Sequence, residues 1–200
     1  ESATRIEMRP TGTASATGVF FQPGALVEAR AYAAVLRPLA LAGHPIVIVK
    51  QPLGIGFLAM GAFDDVRVQH PEVTGWVLGG HSLGGTVASI EADASDGDGV
   101  GPARGLLLYA SYPGADVSAS LDAAVLSISG THDGLATPED IEGSRADLPP
   151  ESRFEAIQGA IHSYFGDYGE QPGDGQATIS HDQARADIGD LSVAFVSGIN

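Results

Sequence analysis

One serine of the chain lies among glycines, in the stretch GGHSLGG at residues 79–85. An apolar run typical of a buried strand precedes it, and a helical pattern begins at Leu83. Residues without side chains allow a strand and a helix to meet at a sharp corner. The G-x-S-x-G pattern in this context predicts that Ser82 presents its hydroxyl as a nucleophile above the carboxyl edge of a sheet. A glycine-rich packing turn is the alternative interpretation.

A serine hydroxyl is a weak nucleophile at neutral pH, so it needs a base and a group that orients the base. Asp133 follows the apolar run VLSISG, and His162 follows the weaker run FEAIQG. The chain order serine, acid, histidine, with each residue just beyond a different strand, is the order of a triad on a parallel sheet. We therefore predict Ser82 as nucleophile, His162 as base and Asp133 as the orienting carboxylate.

Other assignments of the acid and the base stay open at this point. Asp116 follows another predicted strand and could replace Asp133, and His162 could be an ordinary loop histidine. The remaining histidines are predicted to lie on the surface, to pack, or to point away from the site: His44, His70, His81, His132 and His181.

Attack on a carbonyl creates an oxyanion, which backbone N–H groups can stabilise. The amide of Leu83, directly after the serine, is one predicted donor, and the amide of Ala25, in the loop after GVFF, is the other. Pro23 has no N–H to donate. We predict an open, shallow substrate site lined by Leu53, Ile55, Phe57, Tyr112 and Tyr164.

Short apolar runs without polar alternation predict the strands that position these residues, because strands buried on both faces have this pattern. They lie at residues 18–24, 45–52, 75–82, 105–114 and 123–134, with a weaker run at 152–160 and an alternating edge strand at 4–11. Helical stretches separate them, at residues 26–43, 57–71, 83–94, 137–149 and 180–199. The alternation predicts an α/β fold: a mostly parallel sheet of about six to seven strands with helices on both faces.

Helix signals add detail to this prediction. Pro38 is expected to kink or divide the first helix, and Thr137 and Ser180 are expected to be N-caps. No connection is long enough for a cap domain, since the longest one after a strand, 111–123, is only a loop.

Length and charge set limits on the class of protein. Two hundred residues suit a single domain, 1–200, and the absence of Cys excludes disulfides and thiolate chemistry. The formal charge is −15 and Lys50 is the only lysine, which argues against binding to nucleic acid or anionic membranes. No run reaches the length of a membrane span. The acidic balance and a first residue other than Met favour a secreted or cell-envelope protein.

Two acidic, glycine-rich stretches remain. The first, at residues 93–101, has carboxylates at 93, 96 and 98 but lacks the spacing of an EF-hand, so we predict a surface loop. The second, GDYGEQPGDG at residues 166–175, is predicted to shape the wall beside His162 or to close the fold.

Together these motifs resemble the α/β-hydrolase superfamily, in particular a small lid-less branch related to dienelactone hydrolase-like and esterase-like domains. The resemblance covers nearly the whole chain, and its most distinctive part is GAIHSYFGDYGEQPGDGQATIS at residues 159–180. The chain departs from relatives at Gln22 and Ala25, where they tend to have an aromatic residue and a glycine.

The resemblance implies a serine hydrolase that cleaves a carboxylic ester or a related acyl bond and needs no cofactor. Its substrate would be a small or surface-exposed ester. A serine in the nucleophile position argues against epoxide hydrolase and haloalkane dehalogenase chemistry, which uses a carboxylate in this fold. A peptidase or acyltransferase with the same triad is the alternative within enzymes, and a non-catalytic binding domain is the alternative outside them.

Overall fold

A single sheet of seven strands forms the centre of the computed structural model, which describes residues 1–97 and 99–199. The strands are β1 (Arg5–Met8), β2 (Thr17–Gln22), β3 (Ile46–Val49), β4 (Gly75–His81), β5 (Ala103–Tyr109), β6 (Ala124–Gly130) and β7 (Arg153–Ile157). Their order is β1-β3-β2-β4-β5-β6-β7. β1 pairs antiparallel with β3 at one edge, and every other pair is parallel. The predicted fold class is confirmed, and the segment expected at an edge is the edge strand β1.

Helices cover both faces of this sheet. They are α1 (Ala33–Leu41), α2 (Ala62–Gln69), α3 (Leu83–Ser95), α4 (Pro138–Gly143) and α5 (His181–Val196). Neighbouring residues of a strand point to opposite faces. Accordingly, Phe21 belongs to a core cluster with α1 and α5, whereas Phe20 belongs to a second cluster with α2 and α3. The apolar runs are continuous in the sequence because both faces of the strands are buried.

The first predicted helix is shorter than expected. A 3-10 turn at Ala29–Tyr32 precedes α1, and Pro38 lies inside α1 rather than at a division between helices. The first residues of the predicted range form a turn instead. Leu26 has φ 60° and its amide donates to the carbonyl of Gly54, while the amide of Val27 donates to the carbonyl of Gly24.

The predicted helix caps are present. The Thr137 side chain accepts a hydrogen bond from the Asp140 amide, and the Asp140 carboxylate accepts one from the Thr137 amide, which forms a capping box. Ser180 caps α5 by accepting from the amide of Gln183. Helix α4 ends at Gly143, earlier than predicted, and continues as a 3-10 turn to residue 147.

The structure also tests the predictions about the connecting segments and about membrane spans. The segment between β5 and β6 contains no helix or strand, as predicted. In the acidic stretch 93–101, helix α3 extends through Ser95, and residue 98 lies outside the described residues. Within the described part of the chain, no helix has the length and hydropathy required to cross a membrane.

The corner between β4 and α3 depends on close backbone contacts. A Cβ atom on Gly84 would overlap the carbonyl oxygens of Gln22 and Pro23, which belong to the end of β2 and the loop after it. A Cβ atom on Gly80 would overlap the backbone of Gly84. The atoms in the way are backbone atoms, which cannot move aside as a flexible side chain can. The glycines therefore allow α3 to start directly against the end of β2.

Replacing Gly84 with alanine is expected to lower the free energy of unfolding by about 1–3 kcal/mol, because the added methyl group overpacks a rigid contact. Gly143→Ala is the matched control, since Gly143 has helical φ and ψ and no atom within 4 Å of its would-be Cβ. That change should raise stability by about 0.4–1 kcal/mol. Urea denaturation of both variants measures the difference, and equal stabilities would contradict the proposed constraint.

Candidate functional site

Ser82 lies at the corner between β4 and α3 with φ 51° and ψ −128°. A residue with a side chain adopts such a backbone only when the surroundings hold it there, at a cost of about 1–3 kcal/mol. Its amide donates to the carbonyl of Tyr109 at 3.0 Å, and its carbonyl accepts from the Ser111 hydroxyl at 2.6 Å. The end of β5 and the residues that follow it therefore fix Ser82 from one side.

Asp133 and His162 are in direct contact. The Nδ1 atom of His162 is 2.8 Å from Oδ2 of Asp133, and the side chains are 2% and 0% exposed, respectively. The other carboxylate oxygen of Asp133 accepts from the amides of Leu135 and Ala136, both at 2.8 Å. The two residues follow β6 and β7, which are parallel neighbours in the sheet. Because neighbouring parallel strands end at the same edge, they bring these residues together.

The hydrogen bond to Asp133 determines the tautomer of His162. A carboxylate only accepts hydrogen bonds, so Nδ1 carries the proton and the neutral ring keeps a lone pair on Nε2. That Nε2 atom is buried and has no hydrogen-bond partner among the described residues. The ring therefore offers an unused proton acceptor.

A cavity of about 240 Å³ contains both Ser82 and His162 in its wall. The other lining residues are Leu83, Thr86, Ser111, Tyr112, Leu135, Ala136 and Gln171. No Asp, Glu, Lys or Arg is among them in the described part of the chain. The wall therefore carries no formal charge when His162 is neutral.

The two predicted oxyanion donors have free amides. Leu83 is the first residue of α3, where an amide has no acceptor within the helix. Ala25 is exposed at the end of the loop that follows β2. Across the residues that the structure describes, neither amide donates a hydrogen bond to the protein. The amide of Gly24, in contrast, is taken by the hydroxyl of Tyr32 at 2.8 Å.

His81, next to Ser82, is a packing residue rather than a second base. The Tyr32 hydroxyl accepts from the Gly24 amide at 2.8 Å and is hydrogen-bonded to His81 Nδ1 at 2.9 Å. Burial, and secondly the neighbouring His162, holds the pKa of His81 well below its usual value. The ring is stacked on Phe165 and lies 4.5 Å from the His162 ring, centroid to centroid. A neutral His81 thus links the loop after β2 to the residues around Ser82.

Gln22 is fully buried in a polar network. Its amide group donates to the Glu91 carboxylate at 2.9 Å and accepts from Gln51 at 3.0 Å. The second oxygen of Glu91 accepts from the Gly61 amide at 3.1 Å. Burial is the largest influence on Glu91 and raises its pKa. The network joins the end of β2 to α3 and to the segment after β3.

The predicted substrate residues lie in different places. Tyr112 is in the wall of the Ser82 cavity, whereas Leu53 lines a different cavity of about 440 Å³. Ile55 and Phe57 are exposed on the surface, and Tyr164 is stacked on His181 with 4.8 Å between ring centroids. Of these five side chains, the structure brings only Tyr112 to the cavity that Ser82 lines.

Several lining residues were missed, although their positions give a signal. Leu135 and Ala136 lie two and three residues after Asp133, and Thr86 lies one helical turn after Ser82. Gln171 comes from the loop at 166–175, which the sequence placed beside His162 without assigning a residue. Positions two to four residues after a candidate catalytic residue were therefore better candidates for the pocket wall than the residues that were predicted.

The competing acid and the other histidines have surface or packing contacts. The Asp116 carboxylate accepts from the amide and hydroxyl of Ser118 in an exposed loop. His44 Nδ1 lies near the Thr17 carbonyl, and His70 Nδ1 lies near Glu72. His132 Nδ1 lies near the Gln176 carbonyl, and His181 Nε2 lies near Asp167. Residues 1–97 and 99–199 contain no group of three or more His, Asp or Glu side chains arranged to hold a metal ion.

Comparison with known proteins agrees with this architecture. The profile of the alpha/beta hydrolase family matches residues 18–186 of the chain. The chain therefore belongs to the alpha/beta hydrolase family. No curated protein matches its sequence.

Solved structures share the fold at low sequence identity. The esterase domain of a Rhodothermus marinus protein is 13% identical over 94% of this chain and 90% of its own, with a TM-score of 0.72. The monoacylglycerol lipase of Paleococcus ferrophilus is 16% identical over 96% and 99%, with a TM-score of 0.71. A thermophilic esterase of Thermogutta terrifontis, with butyrate bound, is 14% identical over 96% and 88%, with a TM-score of 0.68. The fold thus resembles those of esterases and lipases.

Tyr32→Phe is expected to lower stability strongly, because it leaves both the Gly24 amide and His81 Nδ1 buried without a partner. Each unsatisfied group costs about 1–3 kcal/mol. Tyr109→Phe is the matched control: among the described residues the Tyr109 hydroxyl is hydrogen-bonded only to Ser192, which still donates to the Ile188 carbonyl. Chemical denaturation should show a loss of about 1 kcal/mol for this control. A smaller loss for Tyr32→Phe than for Tyr109→Phe would be inconsistent with this account of His81.

Proposed function

We propose that the protein is a serine hydrolase that cleaves carboxylic esters. Ser82 is the nucleophile, His162 is the general base and then the general acid, and Asp133 orients His162. The amides of Leu83 and Ala25 stabilise the oxyanion. The observation that supports the proposal most strongly is the buried His162–Asp133 hydrogen bond, which leaves His162 Nε2 unpartnered in the wall of the cavity that Ser82 also lines.

The reaction begins with proton transfer from the Ser82 hydroxyl to Nε2 of His162 as Oγ attacks the ester carbonyl. Collapse of the tetrahedral intermediate breaks the bond to the alcohol, which leaves with the proton from His162. Water then attacks the acyl-serine as it gives a proton to Nε2. When this second tetrahedral intermediate collapses, the bond between the acyl carbon and Ser82 Oγ breaks, His162 returns the proton to Oγ, and the carboxylic acid leaves. Each half-reaction returns His162 to its neutral state, so atoms and charge balance over the cycle.

Electrostatics favour this sequence at two points. The imidazolium that forms lies 2.8 Å from Asp133, in a buried setting where the attraction between charges is weakly screened. The N-terminus of α3, a helix of 13 residues, lies at Ser82 and Leu83. Its positive end favours negative charge on an oxyanion bound there. Both groups are in place before the substrate binds, so little reorganisation is required.

The substrate class follows from the wall of the cavity. At about 240 Å³ the cavity is smaller than the 300–1,000 Å³ that is usual for drug-sized ligands. Its wall carries no formal charge at neutral His162, so a carboxylate on the substrate would find no cationic partner there. We therefore propose neutral esters with a short acyl group. The butyrate bound to the esterase of Thermogutta terrifontis is consistent with such a substrate.

Ser82→Ala is expected to reduce turnover of a p-nitrophenyl ester to background, a loss of roughly 10⁴-fold or more, since removal of the nucleophile from a serine enzyme is among the most costly changes. A fluorophosphonate probe should label the wild type and leave Ser82→Ala unlabelled. Ser118→Ala is the matched control because Ser118 lies in the exposed loop with Asp116. That variant should keep both turnover and labelling.

The outcome also separates an enzyme from a binding domain. A folded wild type that neither hydrolyses a panel of esters nor reacts with the probe would exclude the proposed function. Turnover retained in folded Ser82→Ala would exclude Ser82 as the nucleophile without excluding ester hydrolysis itself.

A neutral acetate ester should have a higher kcat/KM than a matched ester with a distal carboxylate. The formal charge of −15 repels the anion, and the wall offers no compensating cation. Added salt should narrow the difference, because screening shortens the reach of the surface charge. Rates with both esters at low and high ionic strength test this. A preference for the anionic ester that weakens with salt would show that the field at Ser82 is positive.

A further inference from the structure

Asp174, in the loop at 166–175, binds two separate backbone segments with one carboxylate. Its Oδ1 accepts from the amides of His162 at 3.0 Å and Gly134 at 3.3 Å. Its Oδ2 accepts from the amide of Ser163 at 2.8 Å. Its own neighbour, Gly175, donates to Oδ1 at 2.8 Å. Four amides thus converge on this side chain.

Three of these amides belong to His162 itself or to a direct neighbour of His162 or Asp133. Gly134 directly follows Asp133, and His162 and Ser163 begin the 3-10 turn that continues to Phe165. The first amides of such a turn have no acceptor within it, so Asp174 supplies the missing one. The side chains of His162 and Asp133 meet on one side, and their backbones are joined through Asp174 on the other.

The loop that carries Asp174 is itself closely packed against the Asp133 segment. A Cβ on Gly175 would overlap the carbonyl oxygen of His132, so only glycine permits this approach. Nδ1 of His132 is bonded to the carbonyl of Gln176 at 2.8 Å. The two residues after Asp174 are therefore packed against His132, which directly precedes Asp133.

Asp174 is ionised over the ordinary pH range. Burial is the largest single influence on its pKa and acts to raise it, but the hydrogen bonds from Ser163, Gly175 and His162 outweigh burial and lower the pKa. Hydrogen bonds from N–H groups to a charged carboxylate are stronger than those to a neutral oxygen. The charge therefore strengthens the junction between the two segments.

We propose that Asp174 is a positioning residue, which sets the backbone of His162 relative to that of Asp133 and so fixes the imidazole that serves Ser82. The expected effect of Asp174 on turnover rests on the proposed function. Its expected effect on the His162–Asp133 hydrogen bond rests on the geometry alone. Small displacements of a general base reduce turnover strongly, because proton transfer requires close alignment.

The test compares Asp174→Asn with Asp167→Asn. Asp167 lies in the same loop, but its carboxylate is paired with Arg185 and His181 and, among the described residues, has no hydrogen bond to His162 or Gly134. In Asp174→Asn we expect kcat to fall about 10- to 100-fold with KM nearly unchanged, which is the size of loss seen when groups that orient a metal-binding histidine are removed. The low-field NMR signal of the His162 Nδ1 proton should shift or broaden. Asp167→Asn should leave kcat and the signal as in the wild type.

Asp174→Glu keeps the charge and adds one methylene group, and it serves if Asp174→Asn does not fold. We expect it to retain more activity than Asp174→Asn, with a smaller change in the NMR signal. Folded Asp174 variants with a wild-type signal and kcat would overturn the proposal. The proposal would also be overturned if kcat fell only in proportion to the fraction of folded protein while the NMR signal of the folded protein stayed unchanged.

The two proposals fail in different ways. If the wild type hydrolyses no ester, the proposed function fails, and the NMR signal still tests whether Asp174 sets the His162–Asp133 contact. If the wild type is active and the Asp174 variants match it, only the positioning role fails.

Discussion

The strained backbone of Ser82 is the constraint on which the rest of the site depends. Its conformation is unfavourable for a residue with a side chain, and bonds to the end of β5 and the start of α3 hold it in place. The same corner requires Gly84 to lie against the backbone after β2. As a result, the loop that carries the Ala25 amide, the start of α3 and the hydroxyl of Ser82 are fixed relative to one another by backbone contacts.

Buried polar groups connect this corner to the other strands. Asp133 and His162 satisfy each other and leave a single lone pair on the imidazole, while His81 stays neutral and is held by Tyr32. An unpaired charge is costly in a buried setting. A proton can therefore move onto the buried imidazole only if a fixed carboxylate balances the positive charge that forms. The arrangement has one such carboxylate beside the imidazole, and a second one, Asp174, that acts on the backbone.

The sequence predicts the fold best where burial determines it. Continuous apolar runs located the strands, and parallel strands end at one edge, so the contact between Asp133 and His162 followed from their positions after β6 and β7. The roles of these residues stay a proposal. Pocket residues were harder to predict, because side-chain direction depends on turns whose geometry is not periodic. Leu53, for example, has φ 52° and is 81% exposed, away from the cavity that was expected to include it.

The buried network of Gln22, Glu91 and Gln51 has a consequence for how this sequence can change over time. An aromatic residue at position 22 would remove the amide that donates to the Glu91 carboxylate and accepts from Gln51, and would leave both of these groups without that partner. Single substitutions within the network are therefore unfavourable, whereas a joint replacement by apolar residues of matching volume is not. Positions 22, 51 and 91 should accordingly vary together in evolution, and an aromatic residue at position 22 is expected to require compensating changes at the other two positions.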